Sequence, residues 1–426
     1  VTPSLEAPSP EAHRRYSRYA LSVIFFANFL SYLDRQIIGA LEHQLKEHFH
    51  LTPAEFGWVG SAFTIGYMVF APIVGFLIER YRRPRIFAVC VFVWSLATLG
   101  SGFAPTKWAL YAMRFFIGIG EAGCLVIGPT LLSAIFPKEV RGKALSVFFL
   151  ALPLGGTAGY IVGGILTKMF GWQYAFFFAG LPGFLVAALI WVLADPPREG
   201  TTEGAHGTFQ GIRPYLELLR NRTLLFIILA QAFAVMFLQP LLLFGVGFFE
   251  AERGFGKVQA TTTLGVIALV SGSAGNMLSG VIGDQLARRR KGAYALLAGI
   301  AFTAGLPFLL LGFTSHVRWI MLPALGVGAF CYFLCMPAVN TQIANAVTAP
   351  QRAMAYALAV FILHFLGDTG APPAFGAAES ALGGKQPAFT VFSFSLLLAG
   401  ASCFIASRTA ARDEERATAT PPSSQA

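Results

Sequence analysis

The sequence predicts an all-α polytopic membrane protein with twelve transmembrane helices in two six-helix bundles. Three observations carry this: 55% of the 426 residues are hydrophobic against 12% charged, the apolar residues fall in helix-length runs, and one ten-residue pattern recurs in both halves. Soluble domains average about 45–50% apolar and ~25% charged residues. Crossing a hydrocarbon core of ~30 Å takes about 20 mostly apolar residues, so this composition furnishes roughly twelve crossings. Backbone groups in lipid must be satisfied internally, and the runs are too long for barrel strands. Disorder, collagen and a disulfide scaffold are excluded by the same composition.

In chain order the apolar runs lie near 19–41, 54–78, 85–104, 107–135, 144–167, 174–194, 223–249, 258–283, 292–313, 318–345, 352–376 and 387–406. The longest polar interruption contains Pro196, Pro197, Gly200, Gly204, Gly207 and Gly211, the composition of a linker. The expected plan is therefore a tail at 1–18, a bundle at 19–194, a linker at 195–222, a bundle at 223–406 and a tail at 407–426. Val1 to Glu11 is polar and carries three prolines, so the first helix is expected to direct insertion without a cleaved signal. All five cysteines (Cys90, Cys124, Cys331, Cys335 and Cys403) lie in apolar runs and read as small buried hydrophobes. No cofactor or metal site is expected.

The net charge of +10 is topological. With the amino terminus inside, the inner segments hold 22 Lys and Arg and the outer segments 7, with Arg35 and Arg114 inside spans. The positive-inside rule then places both termini in the cytoplasm, as in a plasma or bacterial inner membrane. Nucleic acid is not needed to explain the basic balance, and a monomer is expected.

After the second span comes Gly75-Phe-Leu-Ile-Glu79-Arg80-Tyr-Arg82-Arg83, and after the eighth Gly280-Val-Ile-Gly-Asp284-Gln-Leu-Ala-Arg288-Arg289. Arginines at a helix end are common membrane anchors, but the same pattern at the same place in both halves points to duplication. Two parallel six-helix repeats around a midplane site are a transporter architecture.

On these residues the chain resembles the major facilitator superfamily. Gly75 to Arg83 resembles the signature between its helices 2 and 3, with Glu79 in place of the usual aspartate. Gly159-Tyr-Ile-Val-Gly163-Gly164 resembles its helix 5 glycine motif, with Tyr160 in place of proline. Within the superfamily the chain is most similar to the Spinster lipid transporters. The matching segments are Tyr32-Leu-Asp34-Arg35, Arg114-Phe-Phe-Ile-Gly118-Ile-Gly120-Glu121-Ala122, and His364-Phe-Leu-Gly367-Asp368 followed by Pro372. The resemblance implies a secondary transporter for an amphipathic lipid such as a lysophospholipid or sphingoid phosphate. A proton gradient is expected as the coupling source, on the strength of the acids inside the spans.

The residues support a reading of their own. A charge inside a span costs about 2.5–3.5 kcal/mol on insertion scales and is normally paired or functional. Asp34, Arg35, Arg114, Glu121 and Asp368 are deep in this way, and His364 joins them. Asp34 and Arg114 both lie ~10 Å below the outer end of their helices, while Glu121 is two turns deeper than Arg114 on nearly the same face. The expectation is an Asp34–Arg114 pair that opens on protonation of Asp34, with Arg35 and Glu121 completing a network. Asp34 and Glu121 would couple protons, and Arg35 or Arg114 would hold an anionic headgroup through its guanidinium fork, beside Tyr32. The alternative is a permanent salt bridge that only lets helices pack.

His364 and Asp368 stand at i and i+4, either a second polar site or a local packing pair. The 41 phenylalanines could line a tail pocket, although most must face lipid or core. On the inner side Gly75, Glu79, Arg80, Arg83, Arg141, Gly280, Asp284 and Arg288 read as a gate whose ion pairs break on opening, or as arginines that fix topology only. Gly155, Gly159 and Gly163 give the fifth span a smooth face for close approach, and Pro153 is placed to bend it.

The Gly118 to Gly123 stretch matches a dinucleotide fingerprint, but it lies inside an apolar span with no strand before it. No Walker loop, H-E-x-x-H or G-x-S-x-G sequence occurs, which removes ATP-driven transport and the common hydrolase motifs. The rivals left are a proton-coupled small organic anion symporter, an intramembrane lipid-modifying enzyme, and a sensor that does not transport.

Overall fold

The computed structural model describes residues 10–196, 213–348 and 351–418, and the described elements are helices. The first span is α1 (Pro10–Ala40), followed by a short helix α2 (Glu42–Phe49). Then come α3 (Pro53–Arg80), α4 (Arg83–Ser101), α5 (Lys107–Ile135), α6 (Lys138–Met169) and α7 (Trp172–Trp191). After a six-residue helix α8 (Arg213–Leu218) the second series begins. It comprises α9 (Arg222–Arg253), α10 (Lys257–Ala287), α11 (Ala293–Thr314) and α12 (Arg318–Asn345). The eleventh span is built from α13 (Arg352–Leu363), a π-helical turn (His364–Asp368) and α14 (Ala371–Leu382); the twelfth from α15 (Lys385–Ser393) and α16 (Ser395–Thr418).

Every apolar run read from the sequence thus has its helix. Eleven of the spans are long and apolar enough to cross a membrane among the described residues. The remaining one is α1, whose hydropathy is lowered by Asn28, Ser31, Asp34, Arg35 and Gln36, of which Ser31, Asp34 and Arg35 belong to the site.

Packing groups the chain into two compact units: Val1–Ile38 with Ile65–Ala205, and Gly39–Thr64 with His206–Ala426. The second unit therefore takes in the hairpin around α2. Two features explain this. Small residues let backbones touch: a Cβ on Gly57 would lie 2.5 Å from the Pro372 carbonyl carbon, and one on Gly376 would overlap the Pro53 carbonyl. Beside them is an ion quartet. The Lys385 ammonium lies 2.9 Å from Glu42 Oε1 and 2.7 Å from Glu379 Oε1, with Lys46 at 3.5 and 3.6 Å from the same two oxygens. Burial pushes the Glu42 carboxyl above its usual range, and the Lys385 and Lys46 charges pull it back. Glu252 anchors the same corner by accepting from the Lys385 and Gln386 backbone N–H groups at 2.5 and 2.9 Å, which caps α15.

Within the first unit the smooth face expected on the fifth span is present. Gly155 and Gly159 of α6 press on the Phe29 and Leu33 carbonyls of α1, so closely that neither position has room for a Cβ. Close approach of this kind is what small residues allow in lipid. Of the five cysteines four are buried and one is half-buried, all as free thiols.

Candidate functional site: a buried charge network on the first and fifth helices

The network draws on α1, α3, α4 and α5, of which the last three are held at backbone contact. Gly120 leaves α5 against α4, where a Cβ would lie 2.6 Å from the Cys90 carbonyl oxygen and the Trp94 nitrogen. Gly66 lets α3 reach the Phe115 carbonyl of α5. Glu121 is next in sequence to Gly120 and Arg114 next to Phe115, so the charges of α5 sit beside close helix contacts.

Arg35 Nε donates to Glu121 Oε2 at 2.6 Å, and Ser31 Oγ donates to the same oxygen at 2.8 Å. Glu121 has no solvent exposure. The Arg35 guanidinium sits over two rings, 5.3 Å from the Tyr32 centroid and 5.1 Å from that of Tyr67 on α3. Two aromatic faces and one carboxylate thus hold a half-buried cation, an arrangement that suits the flat guanidinium of Arg better than the ammonium of Lys.

Asp34, 1% exposed, accepts from Thr98 Oγ1 of α4 at 2.8 Å. Its Oδ1 is buried and accepts no hydrogen bond among the described residues. Its strongest electrostatic partner is Arg114, itself 2% exposed. The expected grouping of Asp34, Arg35, Arg114 and Glu121 is therefore one buried cluster, in which the close ion pair is Arg35 with Glu121.

Thr98, Ser31 and Tyr67 were not legible in the sequence. Thr98 differs from its helix mates: Ser95 and Ser101 donate back to the Val91 and Ala97 carbonyls of α4, whereas Thr98 reaches across to α1. A hydroxyl donates to a carboxylate and accepts from a carboxylic acid. Asp34 and Glu121 each have one such partner, able to remain bonded in either protonation state.

In the second unit His364 Nδ1 meets Asp368 Oδ2. The spacing anticipated the contact but not its backbone, which is a π turn in which Thr369 N–H bonds the His364 carbonyl at 3.0 Å. The Thr369 hydroxyl bonds the same carbonyl at 2.9 Å. Single π turns inside helices are frequent at functional positions. Asp368 is buried, and its Oδ1 and the nearby Tyr332 hydroxyl have no hydrogen-bond partner among the described residues.

The inner-side residues separate. Arg83 is buried and binds Asp195: its Nε lies 2.7 Å from Oδ1 and its backbone N–H 3.1 Å from Oδ2. Its guanidinium also donates to the Pro196 carbonyl at 2.5 Å. Arg80 stacks over Phe76 at 4.3 Å. Asp284 accepts from the Tyr294 hydroxyl at 2.5 Å. Arg141 is half-buried, its Nε without a hydrogen bond among the described residues, and the Arg288 backbone caps the carboxyl end of α10. Gly75 and Gly280 both face open space. The Glu79 side chain lies outside the described residues. No cluster of three or more metal-ligating side chains occurs among the described residues.

Eleven helices long and apolar enough to cross a membrane among the described residues, with a charge cluster buried on α1 and α5, define a polytopic helical membrane protein. The family model described as Major Facilitator Superfamily matches residues 24–372, and the chain belongs to that superfamily. It is similar to protein spinster of Drosophila melanogaster, 28% identical over 401 residues that cover 90% of this chain and 65% of that protein. The sphingosine-1-phosphate transporter SPNS2 of Xenopus tropicalis is 28% identical over 379 residues, covering 85% and 74%. The chain thus spans just under two thirds of the Drosophila protein. Among solved structures, a bacterial homologue of the human lysosomal transporter Spinster, in an inward-facing and unoccupied conformation, superposes with TM-score 0.85 at 20% identity, covering 96% of this chain and 99% of that one. A D-xylose–proton symporter gives 0.72 at 16%, covering 92% and 97%.

Proposed function

We infer that the protein is a secondary transporter working by alternating access, and that it moves an amphipathic anionic or zwitterionic lipid of the lysophospholipid or sphingoid phosphate class. The observation that carries this reading is the buried pair of acids and pair of arginines on α1 and α5, each acid bonded to a hydroxyl. Arg114 and Arg35 offer guanidinium forks for a phosphate headgroup, and Asp34 and Glu121 take up and release the driving protons. The lipid class follows from relatives named as a sphingosine-1-phosphate transporter. His364 and Asp368 provide a second polar site.

Charge asymmetry favours an inner-membrane or plasma-membrane protein with both termini cytoplasmic. The inner residues Arg80, Arg83, Arg141, Asp284 and Arg288 then belong to the gate. The protein works as a monomer without a cofactor, the proton gradient supplying the energy. Purified protein in proteoliposomes with an imposed pH gradient is the test, with radiolabelled lysolipids against sugar acids and other small organic anions. Uptake of chemically unchanged lysolipid that collapses with the gradient supports the reading. Uptake of small anions alone would replace the cargo, and recovery of a modified lipid would make the protein an enzyme.

A further inference from the structure

An apolar groove lies on the exposed surface of the first unit, between α4 and α7. Ala88, Val89 and Phe92 of α4 and Phe184, Ala187, Ala188 and Trp191 of α7 line a groove of about 350 Å³. Its shape follows from residue size. Three alanines make the floor, and taller side chains make the walls. At one end Phe92 and Phe184 meet edge to face, with centroids 5.4 Å apart, and close it. At the other end the Arg85 guanidinium lies 5.6 Å from the Trp191 ring centroid. Seven residues separate Arg85 from Phe92, so the groove runs about 10 Å along the helix axis, within one leaflet's share of the hydrocarbon core.

The charge at its mouth is one-signed. Arg85 and Arg82 are exposed, and Arg85 meets no acid among the described residues. Asp195, just past the carboxyl end of α7, is already held by the side chain and backbone of Arg83. A tryptophan at headgroup depth with an arginine over it is an interfacial anchor, and basic pockets between helices recognise anionic headgroups.

We propose that this groove between α4 and α7 is a binding site for an anionic phospholipid of the leaflet on the Arg85 side. One acyl chain lies on the alanine floor, and the phosphate sits against Arg85 and Arg82.

The probe is phosphatidylglycerol, compared with phosphatidylcholine. Full-length protein is purified from vesicles containing both, and the lipid retained is counted by native mass spectrometry. The expected result is preferential retention of phosphatidylglycerol. Arg85→Gln should lower it roughly fivefold, the effect of one basic side chain at an anionic surface. Ala188→Leu, which fills the groove and leaves both arginines in place, should lower it as well. Lys107→Gln, which removes a cation from beside Trp108 at the other end of the span, should not. Thermal unfolding in phosphatidylcholine alone should be the same for wild type and Arg85→Gln, which separates loss of lipid from loss of fold. Undiminished retention by Arg85→Gln would overturn the proposal, as would displacement of the lipid by inorganic phosphate. The readout does not involve transport, so it stands or falls apart from the cargo.

Discussion

The two units handle buried polarity in different ways. In the first, regular helices present two acids and two arginines, and each acid is tied by a hydroxyl to a neighbouring helix. In the second, no Lys or Arg lies deep within the apolar runs, where Arg318 and Arg352 stand only at the ends, and the deep polar pair is one histidine and one aspartate on a π turn. The duplication is visible at Gly75 to Arg83 and Gly280 to Arg289, on the inner side. Deep in the membrane the halves share no such pattern. A shared need, anchoring a helix end in a charged interface, has kept a shared solution there. The membrane interior instead carries polar groups that differ between the halves, as expected where residues have separate tasks.

The largest effect should come from Arg35→Met, which leaves Glu121 buried with Ser31 as its remaining bonded partner. Loss of one partner of a buried pair costs about 3–5 kcal/mol. We expect a large drop in thermal stability and no gradient-driven uptake. The double variant Arg35→Met with Glu121→Met should regain much of the stability but none of the uptake. Recovery of both would mean that the pair only packs helices and that the two units do not differ in task.

Next in size is Lys385→Met in the second unit, at about 2 kcal/mol near neutral pH, because Lys46 still faces both acids. The Glu42 carboxyl already titrates above its usual range through burial, and loss of Lys385 raises it further. A raised folded-state pKa gives stability that is present at acidic pH and is lost as pH rises through the raised value. The variant should therefore approach wild type in acid and fall away as pH rises. Melting curves across pH read this directly, and a deficit independent of pH would contradict it.

Thr98→Val should cost about 1.5 kcal/mol, the range for a hydrogen bond to a charged group. It should also shift the pH profile of uptake, and Thr98→Ser should restore that profile. If valine leaves the profile unchanged, the hydroxyl is structural. Smallest is His364→Asn, at about 1 kcal/mol, for one hydrogen bond. We expect a reduced rate with the pH profile retained. A lost pH dependence would instead place proton coupling in both units and erase the contrast.

The spans were legible in the sequence because twenty apolar residues leave little choice of structure. The hairpin helix α2 was not, since residues 41–52 are mostly polar and the helix is only about two turns long. Leu41, Leu45 and Phe49, though at helical spacing, are too few to stand out beside the spans. The charges of the site were legible by their rarity in apolar runs. Their hydroxyl partners were not, because Thr98 looks the same in sequence as Ser95 and Ser101, which only bond their own helix. Arg83 was readable as an anchor, but its partner Asp195 is 112 residues away, at the start of the polar linker stretch. The i, i+4 spacing of His364 and Asp368 brought the right pair together while concealing a backbone that is not α.

That π turn also sets the phase of α14. One residue more per turn rotates the rest of the helix by about 100° relative to an uninterrupted α-helix. Gly376, which admits the Pro53 carbonyl, and Glu379, which meets Lys385 and Lys46, both lie downstream of it. Deleting one residue from His364 to Asp368 would swing both away from their partners at once. The turn acts as an angular setting, so a length change there should do more damage to the α2 corner than a substitution within it.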